Sequence, residues 1–242
     1  MHSRLTGPIL LCALLAPSAA LAAPRGTPIT STLDLRFGTW TPSIDDESAF
    51  EGQVGPYKQA FDGESMFYFE GIYGRELYRG FGSAGFTLGA GYGGVSGDAI
   101  AVDGGPSPDG TSLRMIPLRV GGFYRFDVLQ ERFGVPFVLQ LDAGLVDAIW
   151  WVSSDAGISD AVVDGKRVIG DGDTRGYYAG ASIYLLLDAL APRMAVTFDA
   201  NSGVNNSYLF ATWTLNRVDD FGSSTSWDLS DETLLFGLGF EM

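Results

Sequence analysis

Residues 84 to 94 read Ala84-Gly85-Phe86-Thr87-Leu88-Gly89-Ala90-Gly91-Tyr92-Gly93-Gly94. Phe86, Leu88, Ala90 and Tyr92 take every second position, and Gly85, Thr87, Gly89, Gly91 and Gly93 fill the gaps between them. A period of two belongs to a β-strand, whose successive side chains point to opposite faces. Upstream, Leu33, Leu35 and Phe37 alternate with Thr32, Asp34 and Arg36, and Phe67 and Phe69 with Tyr68 and Glu70. Downstream the same pattern gives Ile116 to Tyr124, Phe137 to Leu145, Ala179 to Leu185, Leu209 to Leu215, and Leu234 to Met242. That makes eight strands. The one competing stretch lies near residues 191–201, where Pro192 opens and Gly203 closes a short helix.

The fold class is therefore all-β, an eight-stranded antiparallel up-and-down barrel. A ninth strand at 194–200 would break the even strand number of single-chain outer-membrane barrels. A tenth would have to hide in residues 41–64, which are acidic, contain Gly and Pro, and show no alternation. Alternation does not say which face is inside, because a soluble lipocalin-like barrel alternates too. The polar face decides: its Gly, Thr, Ser, Tyr and Asn, with a few charges of both signs, suit a narrow lumen better than a water-exposed wall rich in Lys and Glu. The apolar face then looks outward into lipid.

Aromatic residues gather at strand ends. Trp40, Tyr92, Trp150, Trp151 and Tyr177 mark one rim, and Tyr73, Tyr124, Phe126, Phe137 and Phe240 the other, as expected of interfacial girdles. Connections 41–64, 95–111, 153–174 and 218–230 are long and acidic, whereas 74–83 and 127–135 are short, matching extracellular loops and periplasmic turns. Residues 188–206 are the exception, a long segment on the periplasmic side.

Residues 1–22 have the form of a Sec signal peptide: Arg4, then an apolar run from Pro8 to Ala16, then Ala20-Leu21-Ala22. A lipoprotein anchor through Cys12 is excluded by bulky Leu11 and by the position of Cys12 inside the apolar run. Cleavage leaves residues 23–242 as one barrel domain. It removes the only His and the only Cys, and leaves 14 basic residues against 29 acidic ones, a net charge of −15. Such a chain repels nucleic acid. It has no disulfide framework, no thiolate or imidazole ligand, and no histidine for base catalysis.

The chain ends on Leu234, Phe236, Leu238, Phe240 and Met242, which resembles the β-signal by which outer-membrane barrels are recognised for assembly, with Met in place of the usual terminal Phe. The segments Leu187 to Leu190, Gly203 to Phe210, Asp220-Phe221-Gly222 and Trp227 to Asp231 are similar to those of small outer-membrane barrels of myxobacteria and related proteobacteria, over about the last third of the chain. The resemblance implies a barrel in the outer membrane delivered by the barrel-assembly machinery. It brings no catalytic residues.

Little chemistry remains. Gly89 to Gly94 echoes a phosphate-binding glycine loop, but no helix follows it. Asp155, Asp160, Asp164, Asp171 and Asp173 are candidate ligands for a divalent cation, without the order of an EF-hand, and otherwise a solvated loop surface. Lys58 and Lys166 sit in loops, which leaves a Ser/Lys dyad unsupported. Glu70 with Asp142 is the only inward carboxylate pair to weigh for catalysis, on strands that are not neighbours. The inward charges read better as lumen pairs. A turn centred near residue 131 puts Arg119 opposite about residue 143 and within diagonal reach of Asp142, and Arg36 lies level with Glu70.

These readings lead to a non-enzymatic outer-membrane barrel without cofactors, monomeric, with a plugged or narrow lumen. Its acidic loops are expected to meet lipopolysaccharide or an extracellular partner. The alternatives are a small-molecule channel and a soluble periplasmic lipocalin-like binding barrel.

Overall fold

The computed structural model describes residues 29–46, 52–100, 106–155, 157–163, 166–189, 202–223 and 225–242. The signal segment 1–22 and the helix expected near 191–201 lie outside these residues. Eight long strands form the wall: β1 (Ser31–Trp40), β2 (Met66–Gly80), β3 (Gly82–Ile100), β4 (Pro106–Phe126), β5 (Phe137–Ser154), β9 (Asp171–Leu186), β10 (Asn206–Val218) and β11 (Asp231–Glu241). Three short strands, β6 (Gly157–Ile158), β7 (Asp160–Val163) and β8 (Lys166–Ile169), lie in the connection between β5 and β9. Helices α1 (Pro56–Phe61) and α2 (Val128–Phe133) occupy connections at opposite ends.

Each wall strand pairs antiparallel with the next, and β11 returns to β1, so the sheet closes. Its stagger can be followed from Leu35. One way round, the partners run Gly71, Ala90, Leu118 and Asp147 on β5. The other way they run Leu238, Leu209, Leu185 and Phe137, also on β5. The two paths arrive ten residues apart, the offset that tilts the strands and closes a barrel just wide enough for side chains to fill.

Packing is inside out relative to a soluble barrel. Leu88, Val120, Leu139, Leu145, Ile183, Leu209 and Phe236 are exposed on the outer wall, whereas Arg36, Glu70, Arg119 and Asp142 are buried within. Burying ions while exposing leucines is unfavourable in water; facing hydrocarbon, the same wall gains. Among the described residues no helix is long and apolar enough to cross a membrane; the strands of a closed barrel can do so because all their backbone groups are paired.

The connections differ from expectation, most clearly at three places. Of residues 95–111, read as a loop, 95–100 continue β3 and 106–111 belong to β4, with Val95 paired to Leu113 and the Ser96 and Ser112 hydroxyls 2.9 Å apart. Residues 74–83 are mostly strand: β2 runs to Gly80, and the turn is tightened by Gly82 at φ +97, a conformation glycine takes without strain. In both places cross-strand backbone pairing sustains a strand where hydropathy no longer alternates. Residues 41–64 contain α1, started by Pro56, with the Asp45 carboxylate accepting the backbone N–H groups of Tyr57 and Lys58 at 2.8 Å each.

Candidate functional site

The lumen is filled in three tiers. At the end of the barrel that carries α2, Arg125 donates from Nε to Gln140 Oε1 at 2.8 Å and from Nη1 to Glu241. Glu241 also accepts from Asn206 Nδ2 at 2.6 Å, and the Tyr208 hydroxyl lies 3.0 Å from both Glu241 Oε2 and Gln130 Oε1 of α2. The Arg125 guanidinium lies over the Tyr184 ring, 4.7 Å from its centre, and the Tyr184 hydroxyl donates to Asp34 Oδ2 at 2.7 Å.

In the middle tier Arg119 Nε sits 2.7 Å from Glu70 Oε1, its Nη2 donates to Asn216 Oδ1 at 2.8 Å, and its Cζ lies 4.6 Å from the centre of the Tyr178 ring. Tyr68 donates to the same Glu70 oxygen at 3.0 Å. Arg36 stands among three carboxylates: Asp34 at 3.6 Å, Asp142 at 3.7 Å and Glu70 at 3.8 Å. Cation and anion hold one another where either alone would be prohibitively costly. Small residues make the room. Gly121 and Gly144 oppose each other, and a Cβ on Gly121 would come within 2.5 Å of the Tyr178 hydroxyl.

The upper tier is apolar. Trp40, Met66, Leu113, Met115 and Leu235 are at most 1% exposed, and from the end opposite α2 Ile44, Tyr57 and Phe61 descend onto them. Trp40 donates Nε1–H to the Leu229 carbonyl at 2.9 Å, and Trp150 stacks on Trp227 at 4.1 Å between ring centres. Burial, with Asp231, Asp45 and Glu64 nearby, pushes the Tyr57 phenol well above its ordinary range.

The lumen charges sit in a different arrangement from the one the sequence suggests. Arg36 does lie near Glu70, and Glu70 and Asp142 are both inward, joined through Arg36. Arg119, however, contacts Glu70 instead of Asp142. The ladder between β4 and β5 ends at Phe126 and Leu139, with α2 in the connection, so Arg119 opposes Val146 and not residue 143, while Asp142 opposes Phe123. Arg125, Glu241 and Asp34 belong to the network as well, although sequence reasoning left them out of it; their place on the polar side of the alternation was the available signal. Trp40 and Trp150, read as girdle residues, turn into the lumen, while Tyr92, Tyr177, Tyr73 and Phe137 are exposed on the wall.

The candidate cation ligands are not brought together. Asp160 is bound by Arg167 at 2.8 Å and Asp173 by Arg175 at 3.0 Å; Asp155 and Asp171 are exposed, and Asp164 lies outside the described residues. Among the described residues no group of three or more potential ligands is arranged to hold a metal ion. Leu234, Phe236 and Leu238 of the C-terminal pattern are exposed on the outer wall. The backbone of Met242 ties β11 to the start of β1, its carbonyl accepting from Thr30 and Ser31 at 2.8 and 2.9 Å.

No protein-family model and no curated protein matches the sequence. Among solved structures the chain is similar to Ail, the attachment invasion locus protein of Yersinia pestis, in complex with the heparin analogue sucrose octasulfate. That similarity is 11% identity over 88% of this chain and 97% of the other, with a TM-score of 0.44. It is similar to Neisserial surface protein A at 12% identity over 88% and 97%, TM-score 0.41. It is also similar to the N-terminal β-barrel domain of Pseudomonas aeruginosa OprF at 11% identity over 88% and 98%, TM-score 0.39.

Proposed function

We propose that the chain is an outer-membrane barrel with a structural or interaction role, which presents acidic loops outside the cell and conducts nothing along its axis. One observation carries this reading: the lumen is occupied from end to end, by Arg125 with Glu241 below, by Arg36, Arg119, Glu70 and Asp142 at mid-height, and by the apolar tier under α1 above. The apolar outer wall supports the location, and the excess of acidic residues supports loops that meet lipopolysaccharide through divalent cations, or an extracellular partner. The wall also argues against the soluble lipocalin-like alternative, since water would face exposed Leu, Val and Phe along nearly every strand. Proteoliposomes carrying the protein should resist swelling in small sugars as empty liposomes do; swelling would overturn the reading.

A second reading, lateral passage of apolar molecules, has one observation in its favour. The ladder between β1 and β11 stops at Phe37 and Phe236, and hydrogen bonds cross again higher up, where Trp40 Nε1–H donates to the Leu229 carbonyl at 2.9 Å, Thr41 N–H to Asp231 Oδ2 at 2.8 Å and Ser43 N–H to the Ser230 carbonyl at 3.1 Å. The apolar tier lies behind that gap, with Leu235 covering Gly38. A disulfide across the gap, Thr39→Cys with Leu234→Cys, would abolish uptake of an apolar fluorophore into the barrel if this path operates, and would leave uptake unchanged if it does not.

A further inference from the structure

The periplasmic end carries a feature on its outer wall that the filled lumen does not explain. Helix α2 lies across the foot of β4 and β5, and between it and the turn residue Phe81 is a cavity of about 540 Å³, in the size range of small-molecule sites. Phe81, Phe126, Leu129, Phe133 and Leu139 line it, and Arg132 is its one charged residue. Phe133 is 72% exposed, Phe81 67% and Leu129 50%, a concentration of apolar surface beyond ordinary scatter.

The groove is held in shape from behind. The Tyr124 hydroxyl donates to the Phe81 carbonyl and fixes the turn that presents Phe81. Ser83 Oγ donates to Asp127 Oδ2 at 2.6 Å immediately before α2, and Gly134, in the left-handed conformation, donates its N–H to the Gln130 carbonyl at 3.0 Å and ends the helix. Gln130 on the inner side meets Tyr208 of the lumen. The helix therefore keeps Leu129 and Phe133 turned outward.

We infer that this groove binds a glycerophospholipid of the inner leaflet, with an acyl chain along Phe81, Phe126 and Leu139 and its phosphate on Arg132. Phe126 and Leu139 are paired residues of the lipid-facing wall, so the groove is continuous with the bilayer. Arg132 stands at its edge, makes no ion pair among the described residues, and belongs to a chain in which acidic residues outnumber basic ones 29 to 15. A long apolar tail ending in a phosphate matches that arrangement of groups. A second copy of this acidic chain does not. The inference rests on the outer-membrane reading above.

The test uses the full-length mature protein in detergent and in nanodiscs, titrated with phosphatidylglycerol or with diacylglycerol of the same chains, and bound lipid counted by native mass spectrometry. Arg132→Gln should weaken retention of phosphatidylglycerol by about tenfold, the loss of one charge-assisted contact, and leave diacylglycerol unchanged. Phe133→Ser should weaken both. Heat-modifiable migration on gels verifies that each variant is folded. Equal phosphatidylglycerol retention by wild type and Arg132→Gln, or an equal loss of both lipids in Arg132→Gln, overturns the site while leaving the barrel in the membrane. A protein that stays in solution without detergent overturns the outer-membrane reading itself.

Discussion

The lower and upper halves of the lumen are filled by opposite chemistry. Below, Arg36, Arg119 and Arg125 face Asp34, Glu70, Asp142 and Glu241 at almost zero exposure; above, Trp40, Met66, Leu113, Met115 and Leu235 meet two aromatic residues of α1. The lower tiers are built entirely from side chains of wall strands and α2, so they form only when the wall is in register. The upper tier borrows from the loop between β1 and β2, and so can loosen without the wall opening. A buried ion network offers little net stability over apolar packing but severely penalises its own disruption. An apolar plug stabilises in proportion to what it covers. The lower network is thus the part that specifies register, and the upper tier the part that seals.

The largest effect should come from breaking the network on one side only. Glu70→Ala strands Arg119 and leaves Arg36 with two carboxylates; equilibrium unfolding in urea with lipid vesicles should register a loss of about 3–5 kcal/mol. Replacing both members, Glu70→Leu with Arg119→Met, should recover most of that loss, and a double variant as unstable as the single one would show that the charges contribute net stability. In the upper tier, Phe61→Ala should cost about 3 kcal/mol, the lower end for a buried phenylalanine, and the cost should be local. Backbone amides of α1 should exchange faster while the melting temperature of the wall stays within a degree or two.

Smaller still is the outer lid. Trp227→Ala removes the stack on Trp150 and should cost about 0.5–1.5 kcal/mol, read as quenching and exposure of the remaining tryptophans. The Tyr57 phenol separates the halves by pH. Its protonated form is favoured by burial and by three nearby carboxylates, so its contribution is complete below its ordinary value of 10.0 and is lost as pH rises beyond it. Phenolate absorbance should appear above that value together with faster exchange of α1 amides, and the wall should remain intact. Ionisation of Tyr57 at its ordinary value would mean that α1 is undocked.

Most of the wall was legible in the sequence, because a barrel one residue thick writes its two faces directly into alternating positions. Phe86, Leu88 and Tyr92 face outward for the same reason that Gly89 and Gly91 face inward. Register was harder. Directly opposed residues share a face, so inward Arg119 had to meet an inward residue of β5. That rule excludes outward Ala143 but does not choose among Asp142, Gly144 and Val146. The choice was made by the length of the connection holding α2. The upper tier was not legible either. Trp40 and Trp150 look like girdle aromatics until they are counted from Asp34 and from Val146, which puts both on the inward side. The docking of α1 depends on one carboxylate, Asp45, eleven residues before Pro56 in the chain, a distance over which local pattern carries no information.

A plugged barrel requires that the two kinds of filling together close the lumen. Single-channel recording of the purified mature protein in planar bilayers measures this most directly. The wild type should add no stepwise current to the bare bilayer at any holding potential the bilayer withstands. Reproducible ohmic steps from the folded, heat-modifiable wild type would mean that water and ions thread the network of Arg36, Arg119 and Glu70, and would contradict the plugged barrel described above.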